Sequence, residues 1–320
     1  MEVALLGAAL ALAFVSGAND GATLAAMGTR TGALSVLAGV LVLALAVGTV
    51  PAVAGRGVAA TLAHGLVHFE QSGGRPAFLA AAVGALLVVL LLSRRGLPTS
   101  VTLALNGSII GAGVGAGLAL SWVTIGYVLA AGLLGPLVAA AAGFAVTPLV
   151  RRLVGRRAPR ETRARRLQRA GFLVQSFAYG ANGAQKMVAF AAVAAGASLD
   201  PVRLNAFSQL AVAICFAAGA LFAVRRLSSR VTEQLVRVRP QSSLSALLAS
   251  SAVVLASSAV GIPLSSTQAS TAGLLGSTGR VAPQRVRVHQ VFALGVAWGA
   301  TLPSAAALGA MLGLLAGWLR

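Results

Sequence analysis

The chain has 320 residues, 58% of them apolar and 10% charged, with a mean hydropathy of +0.88, a balance that excludes a soluble globular protein. Its 25 bases outweigh its 6 acids for a formal net charge of +19. All the bases but Lys186 are Arg, gathered in short runs between stretches long enough to cross a bilayer, and charge used as punctuation in this way excludes a nucleic-acid-binding stripe. Apolar segments fall at about 2–29, 33–50, 76–93, 103–120, 121–150, 170–197, 203–224, 244–262, 269–279 and 286–319, the signature of an all-α polytopic membrane protein. The first sixteen residues resemble the apolar core of a signal peptide but lack a basic flank. They run into Ser16-Gly17-Ala18-Asn19-Asp20 and read as half of a retained helix. The single Cys215 permits no intrachain disulfide.

Several segments are too short to cross alone, and comparison of the two halves gives a reason. Gly17-Ala18-Asn19-Asp20 recurs as Gly180-Ala181-Asn182-Gly183, and Pro98-Thr99-Ser100-Val101-Thr102 recurs as Pro263-Leu264-Ser265-Ser266-Thr267. Two motif pairs at nearly one spacing predict an internal duplication, residues 1–150 and 170–320, joined by a basic linker at 151–169. Each half is expected to hold a broken helix (2–29, 170–197), a second span, a re-entrant helical hairpin tipped by the Pro-Ser-Thr motif, and a long final segment. Three net crossings per half invert the second repeat. With 151–169 cytoplasmic, 18 Arg fall inside, while Arg56, Arg75, Arg203 and Arg320 fall outside, as the positive-inside rule demands. Arg94 and Arg95 fit neither tally. Pro136 and Pro303 mark either a kink in one final helix or a turn between two.

Asp20 is the only acid within an apolar stretch. A charge at mid-membrane costs about 2.5–3.5 kcal/mol on insertion scales, so it requires a partner or a function. Its neighbours hold a helix poorly, and an unwound turn would offer oxygens to Na⁺ or carry H⁺; helix capping by Asn19-Asp20 is the plain structural alternative. Lys186 either pairs with Asp20, attracts an anion, or snorkels to an interface. Ser100, Thr102, Ser265, Ser266 and Thr267 place hydroxyls where helix N-termini point free N–H groups, a combination suited to a tetrahedral oxyanion. The glycines at 107, 111, 113, 115 and 117 lack the strand of a nucleotide loop and read as close helix packing. His64 and His68 near Glu70 read as a solvated turn before a metal site, and the Arg run 151–169 as an anchor beside anionic lipid. An intramembrane hydrolase would need a base, yet no histidine lies in a span to serve Ser176 or Ser257.

These motifs resemble the inorganic phosphate transporter family, whose repeats carry Gly-Ala-Asn-Asp, Gly-Asn-Asp-Ala-Gln-Lys and two Pro-x-Ser-Thr-Thr-His loops. Asn19 and Asp20 match the first motif; Asn182, Ala184, Gln185 and Lys186 match the second; Pro98, Ser100, Thr102, Pro263, Ser265, Ser266 and Thr267 match the loops. The resemblance implies a symmetric homodimer of the cell membrane (the inner membrane, where there are two). It also implies a symporter importing inorganic phosphate by alternating access, coupled to Na⁺ or H⁺ and needing no other cofactor. Asp20, Asn19, Thr23, Asn182 and Gln185 would serve the cation. Ser100, Thr102, Ser265, Ser266, Thr267, Asn19, Asn182 and Lys186 would serve the anion. Gly183 stands in place of a second Asp, Thr23 of an Asn, Val101 of a Thr, and Leu103 and Gln268 of the two His. With one carboxylate lost, the coupling ion stays open, and sulfate, which has no proton to donate, stays open beside phosphate. An anion channel and a non-transporting scaffold form the other functional class.

Overall fold

The computed structural model describes residues 1–29, 32–94, 99–154, 161–194, 206–227 and 240–318. Arg30, Arg95, Pro98, Asp200, Arg203, Arg230, Glu233, Arg237, Arg239, Arg320 and the centre of the basic linker lie outside these residues. The described residues are helical, with no strand beyond one isolated bridge between Val67 and Leu120. The helices are α1 (Glu2–Thr29), α2 (Val36–Val53), α3 (Gly57–Ala60), α4 (Gly74–Arg94), α5 (Val101–Gly115), α6 (Trp122–Val154), α7 (Glu161–Ala194), α8 (Ala206–Leu227), α9 (Pro240–Ala259), α10 (Ser266–Val281) and α11 (Val288–Trp318). Among the described residues seven helices are long and apolar enough to span a bilayer. Large apolar side chains such as Leu133, Leu137, Phe292 and Leu315 face outward from α6 and α11, which suits lipid and not water. The chain is a multi-pass membrane protein.

The structure alters some of these expectations and decides between others. The first expected break is a single π-helical turn, Gly17–Gly21, inside an otherwise continuous α1, and the second is absent, because α7 runs unbroken from Glu161 to Ala194. Glycine-rich segments make poor isolated helices. Here packing holds them: a Cβ at Gly17 would strike the Phe216 carbonyl of α8, and one at Gly21 would come within 2.7 Å of the Phe216 ring. Pro136 and Pro303 each lie inside one continuous helix. Arg151 and Arg152 close α6, and residues 161–169 open α7, so the basic linker is mostly helix. The first arms of the two hairpins, Gly74–Arg94 and Gln241–Ala259, are each long enough to cross, whereas Val101–Gly115 is shorter.

The two halves interlock. α11 lies along α5 and α4, and α6 lies along α10 and α9, so each final helix embraces the other half's hairpin. The contact of α1 with α8 is likewise matched by that of α2 with α7. Glycine makes this possible: a Cβ at 107, 111 or 115 would run into the carbonyls of Leu302, Ala306 and Ala310, and one at Gly276 into that of Ala140. Small residues let helix backbones approach where no hydrophobic drive exists between helices.

Candidate functional site

The two hairpin tips meet. Ser100 and Ser265 are the N-caps of α5 and α10, each hydroxyl accepting from a backbone N–H three residues on, at 3.3 Å. Ser100 Oγ also donates to Ser265 Oγ at 3.1 Å, across 165 residues of sequence. Two helix N-termini therefore face one another, each worth roughly half a positive charge.

Asparagines hold both tips. Asn19 Nδ2 donates to the Thr99 carbonyl at 3.2 Å, and Asn182 Nδ2 to the Ile262 carbonyl at 3.0 Å, each across 80 residues of sequence. Asn182 Oδ1 also accepts from Leu264 N at 3.0 Å. Lys186, 2% exposed, donates to Thr102 Oγ1 and, at 3.3 Å, to the Leu264 carbonyl. Of the alternatives for this lysine, its burial leaves no room for snorkelling.

Asp20 lies beside the tips, and its carboxylate is wrapped in donors. Asn19 Nδ2 reaches Oδ1 at 2.9 Å, Tyr179 OH reaches Oδ2 at 3.4 Å, and the Thr267 hydroxyl is a third partner. Lys186 is near enough for its charge to act on Asp20. Thr267 in turn bonds Ser265 at 3.1 Å, so carboxylate and both caps form one buried network, with the Lys186 ammonium beside it.

Not every expected residue joins it. Thr23 Oγ1 donates to the Asn19 carbonyl at 2.7 Å and so steadies the π turn. Gln185 accepts from Ala59 N at 3.0 Å and donates to the Ala181 carbonyl at 2.5 Å, tying α3 to α7 instead of facing Asp20. Ser266 Oγ is buried with no partner among the described residues. His64 and His68 belong to no cluster of three potential metal ligands among the described residues.

Tyr179 was not legible as a site residue. Its ring lies where a side chain at 183 would go: a Cβ there would come within 2.5 Å of Tyr179 Cε2. The space of the absent second carboxylate is thus filled by an aromatic ring that hydrogen-bonds the first. The available signal was a tyrosine one helical turn before the glycine that stands in place of a motif carboxylate.

The chain matches the model of the phosphate transporter family over residues 16–174 and 157–309. It is 31% identical over 318 residues to probable low-affinity inorganic phosphate transporters of Mycobacterium bovis and Mycobacterium tuberculosis, covering 94% of this chain and 74% of each of theirs. It is 26% identical to a probable low-affinity inorganic phosphate transporter of Bacillus subtilis, over 97% of this chain and 96% of that one. Among solved structures, one described as the sodium-dependent phosphate transporter shares the fold with a TM-score of 0.85 at 17% identity, covering 100% of this chain and 99% of its own.

Proposed function

The chain belongs to the phosphate transporter family, and we propose that it imports inorganic phosphate across the cell membrane as a proton-coupled symporter. The observation that carries this is the convergence of two capped helix N-termini and a buried ammonium on one point beside one carboxylate. Two half-charges and Lys186 against ionised Asp20 leave about one net positive charge, and protonating Asp20 raises it to about two. Anion and proton therefore favour each other's binding. Asp20 is also an acceptor near the caps, and phosphate carries a proton to donate where sulfate has none.

The donor shell suits a proton. Both Asp20 oxygens accept hydrogen bonds, and a hydroxyl such as that of Tyr179 or Thr267 donates to a carboxylate and accepts from a carboxylic acid without moving, so the shell accommodates protonation at no cost in lost bonds. Each charge crossing the membrane is worth about 2.3 kcal/mol per 100 mV. One proton on one carboxylate balances one monovalent dihydrogen phosphate, so import is electroneutral. Residues 1–150 and 170–320 act as inverted repeats, and the matched asparagine-to-tip bonds and interlocked final helices support alternating access by hairpins moving against a scaffold.

The test is uptake of labelled phosphate and sulfate into proteoliposomes, with the pH gradient, the Na⁺ gradient and the membrane potential imposed separately. An inward proton gradient is expected to accumulate phosphate at an initial rate indifferent to potential. No accumulation under any gradient ends the carrier assignment, and accumulation driven by Na⁺ alone ends the proton assignment.

A further inference from the structure

A polar seam leaves the central site along α7. Gln168, Gln175 and Asn182 recur at seven-residue steps, two helical turns apart, and so lie on one face; all three are at most 2% exposed. Opposite them, α9 presents Ser243, Ser250 and Ser251. Gln168 Nε2 donates to Ser243 Oγ at 2.9 Å, and Gln175 Oε1 accepts from Ser250 at 2.7 Å and from Ser251 at 2.9 Å. From α10, Ser270 Oγ donates to Ser250 Oγ at 3.3 Å. The seam spans about 21 Å of helix at 1.5 Å per residue, from Asn182 beside the hairpin tip to Gln168, which adjoins the end of α7 where Arg163, Arg166 and Arg169 are exposed.

We propose that this seam is the path by which the anion leaves the central site toward the basic face, with Gln175 as its intermediate relay and the Gln168–Ser243 contact as its closed gate. The inference rests on the transporter assignment above. Hydrogen bonding between membrane helices is ordinarily glue, and glue pairs its groups. Here the buried Gln175 amide meets Ser250 and Ser251 with one end, and its other end has no partner among the described residues. The two serine hydroxyls also reach the Ala246 and Leu247 carbonyls of their own helix at 2.7 and 2.6 Å, so an amide with one end unspent can turn its N–H groups to a partly dehydrated oxyanion half-way along the seam. At the gate, Gln168 and Ser243 both also lean on the Met27 carbonyl of α1, at 3.4 and 3.3 Å, so movement of α9 and α10 relative to α1 and α7 would open it. The basic mouth draws anions to that end.

Two measurements on the full chain in proteoliposomes test the path. Gln175→Leu keeps the volume and removes the donor; phosphate binding at equilibrium is expected to stay within about twofold while turnover falls about tenfold, the effect of one hydrogen bond to a charged group. Unchanged turnover would overturn the relay. Independently, Ser251→Cys in a Cys215→Ser background is expected to react with a membrane-impermeant thiosulfonate from the face carrying 151–169, faster when phosphate is cycling, and not from the opposite face. A protein that accumulates phosphate yet is never modified from that face refutes the path, even if Gln175→Leu fails to fold. Parent protein that accumulates no phosphate under any gradient marks failure of the transporter assignment instead.

Discussion

The positions in the first half that correspond to Gln168, Gln175, Ser243, Ser250, Ser251 and Ser270 are Leu5, Leu12, Phe78, Ala85, Leu86 and Leu105, all apolar and all buried but for the half-buried Leu86. Backbone contacts recur between the halves, with each asparagine on a hairpin tip and each final helix on the opposite hairpin, yet the side chains filling the two seams differ in kind. Parting the apolar seam to water exposes hydrocarbon at about 25 cal/mol per Å². Parting the polar seam exchanges interhelical hydrogen bonds, each worth about 0.6 kcal/mol in a membrane, for bonds to water or anion. Two halves with matched backbone contacts can thus carry one seam that resists wetting and one that yields to it. The asymmetry extends to the centre, where the first half supplies the carboxylate Asp20 and the second supplies Gly183 and Lys186.

The sharpest way to break this division is at the carboxylate. Asp20→Asn removes the carboxylate proposed to carry the proton, and concentrative phosphate uptake in proteoliposomes is expected to vanish while downhill exchange of labelled phosphate persists; undiminished accumulation would remove Asp20 from the coupling. Lys186→Met tests the second half's charge. Losing a charged hydrogen-bond donor costs about 1.5–3 kcal/mol, so phosphate affinity measured by equilibrium binding should weaken roughly 10- to 100-fold. The seam comparison is probed by Leu12→Gln, which puts into the apolar seam the amide found at Gln175. A buried amide without partners costs about 1–3 kcal/mol, read as a lower Tm in detergent, and an unchanged Tm would mean the first seam is not dry. The smallest effect belongs to Tyr179→Phe. It leaves the ring packed against Gly183 and removes one hydrogen bond to Asp20, worth about 0.5–1.5 kcal/mol, so a roughly two- to tenfold change in turnover with the fold intact is the expected result.

The expected site residues were legible to the extent that their chemistry is local. Asn19 with Asp20, and the hydroxyl triplets after Pro98 and Pro263, are conspicuous in apolar surroundings because a polar group in lipid demands a reason. Partners were not legible. Thr23 and Gln185 belong to the same motifs, yet one bonds its own helix and the other a short helix 126 residues away. Tyr179 did not stand out in the sequence because its role depends on the empty Cβ position of Gly183. The π turn in place of a break reflects the contact of Gly17 and Gly21 with Phe216, a residue about 200 positions away.

What the amino-acid order alone determined was the medium and the list of costly groups: apolar runs fix a helical membrane protein, since lipid offers no partner to an unpaired backbone group, and the few polar residues inside those runs mark the candidate site. Only the tertiary structure decided which of those groups meet. Helices that pack on non-sequential neighbours bring Ser100 to Ser265, Lys186 to Thr102 and Tyr179 to Asp20. Hydrogen bonds act over about 3 Å, and the proximity they need between distant segments is set by packing that no local sequence pattern encodes.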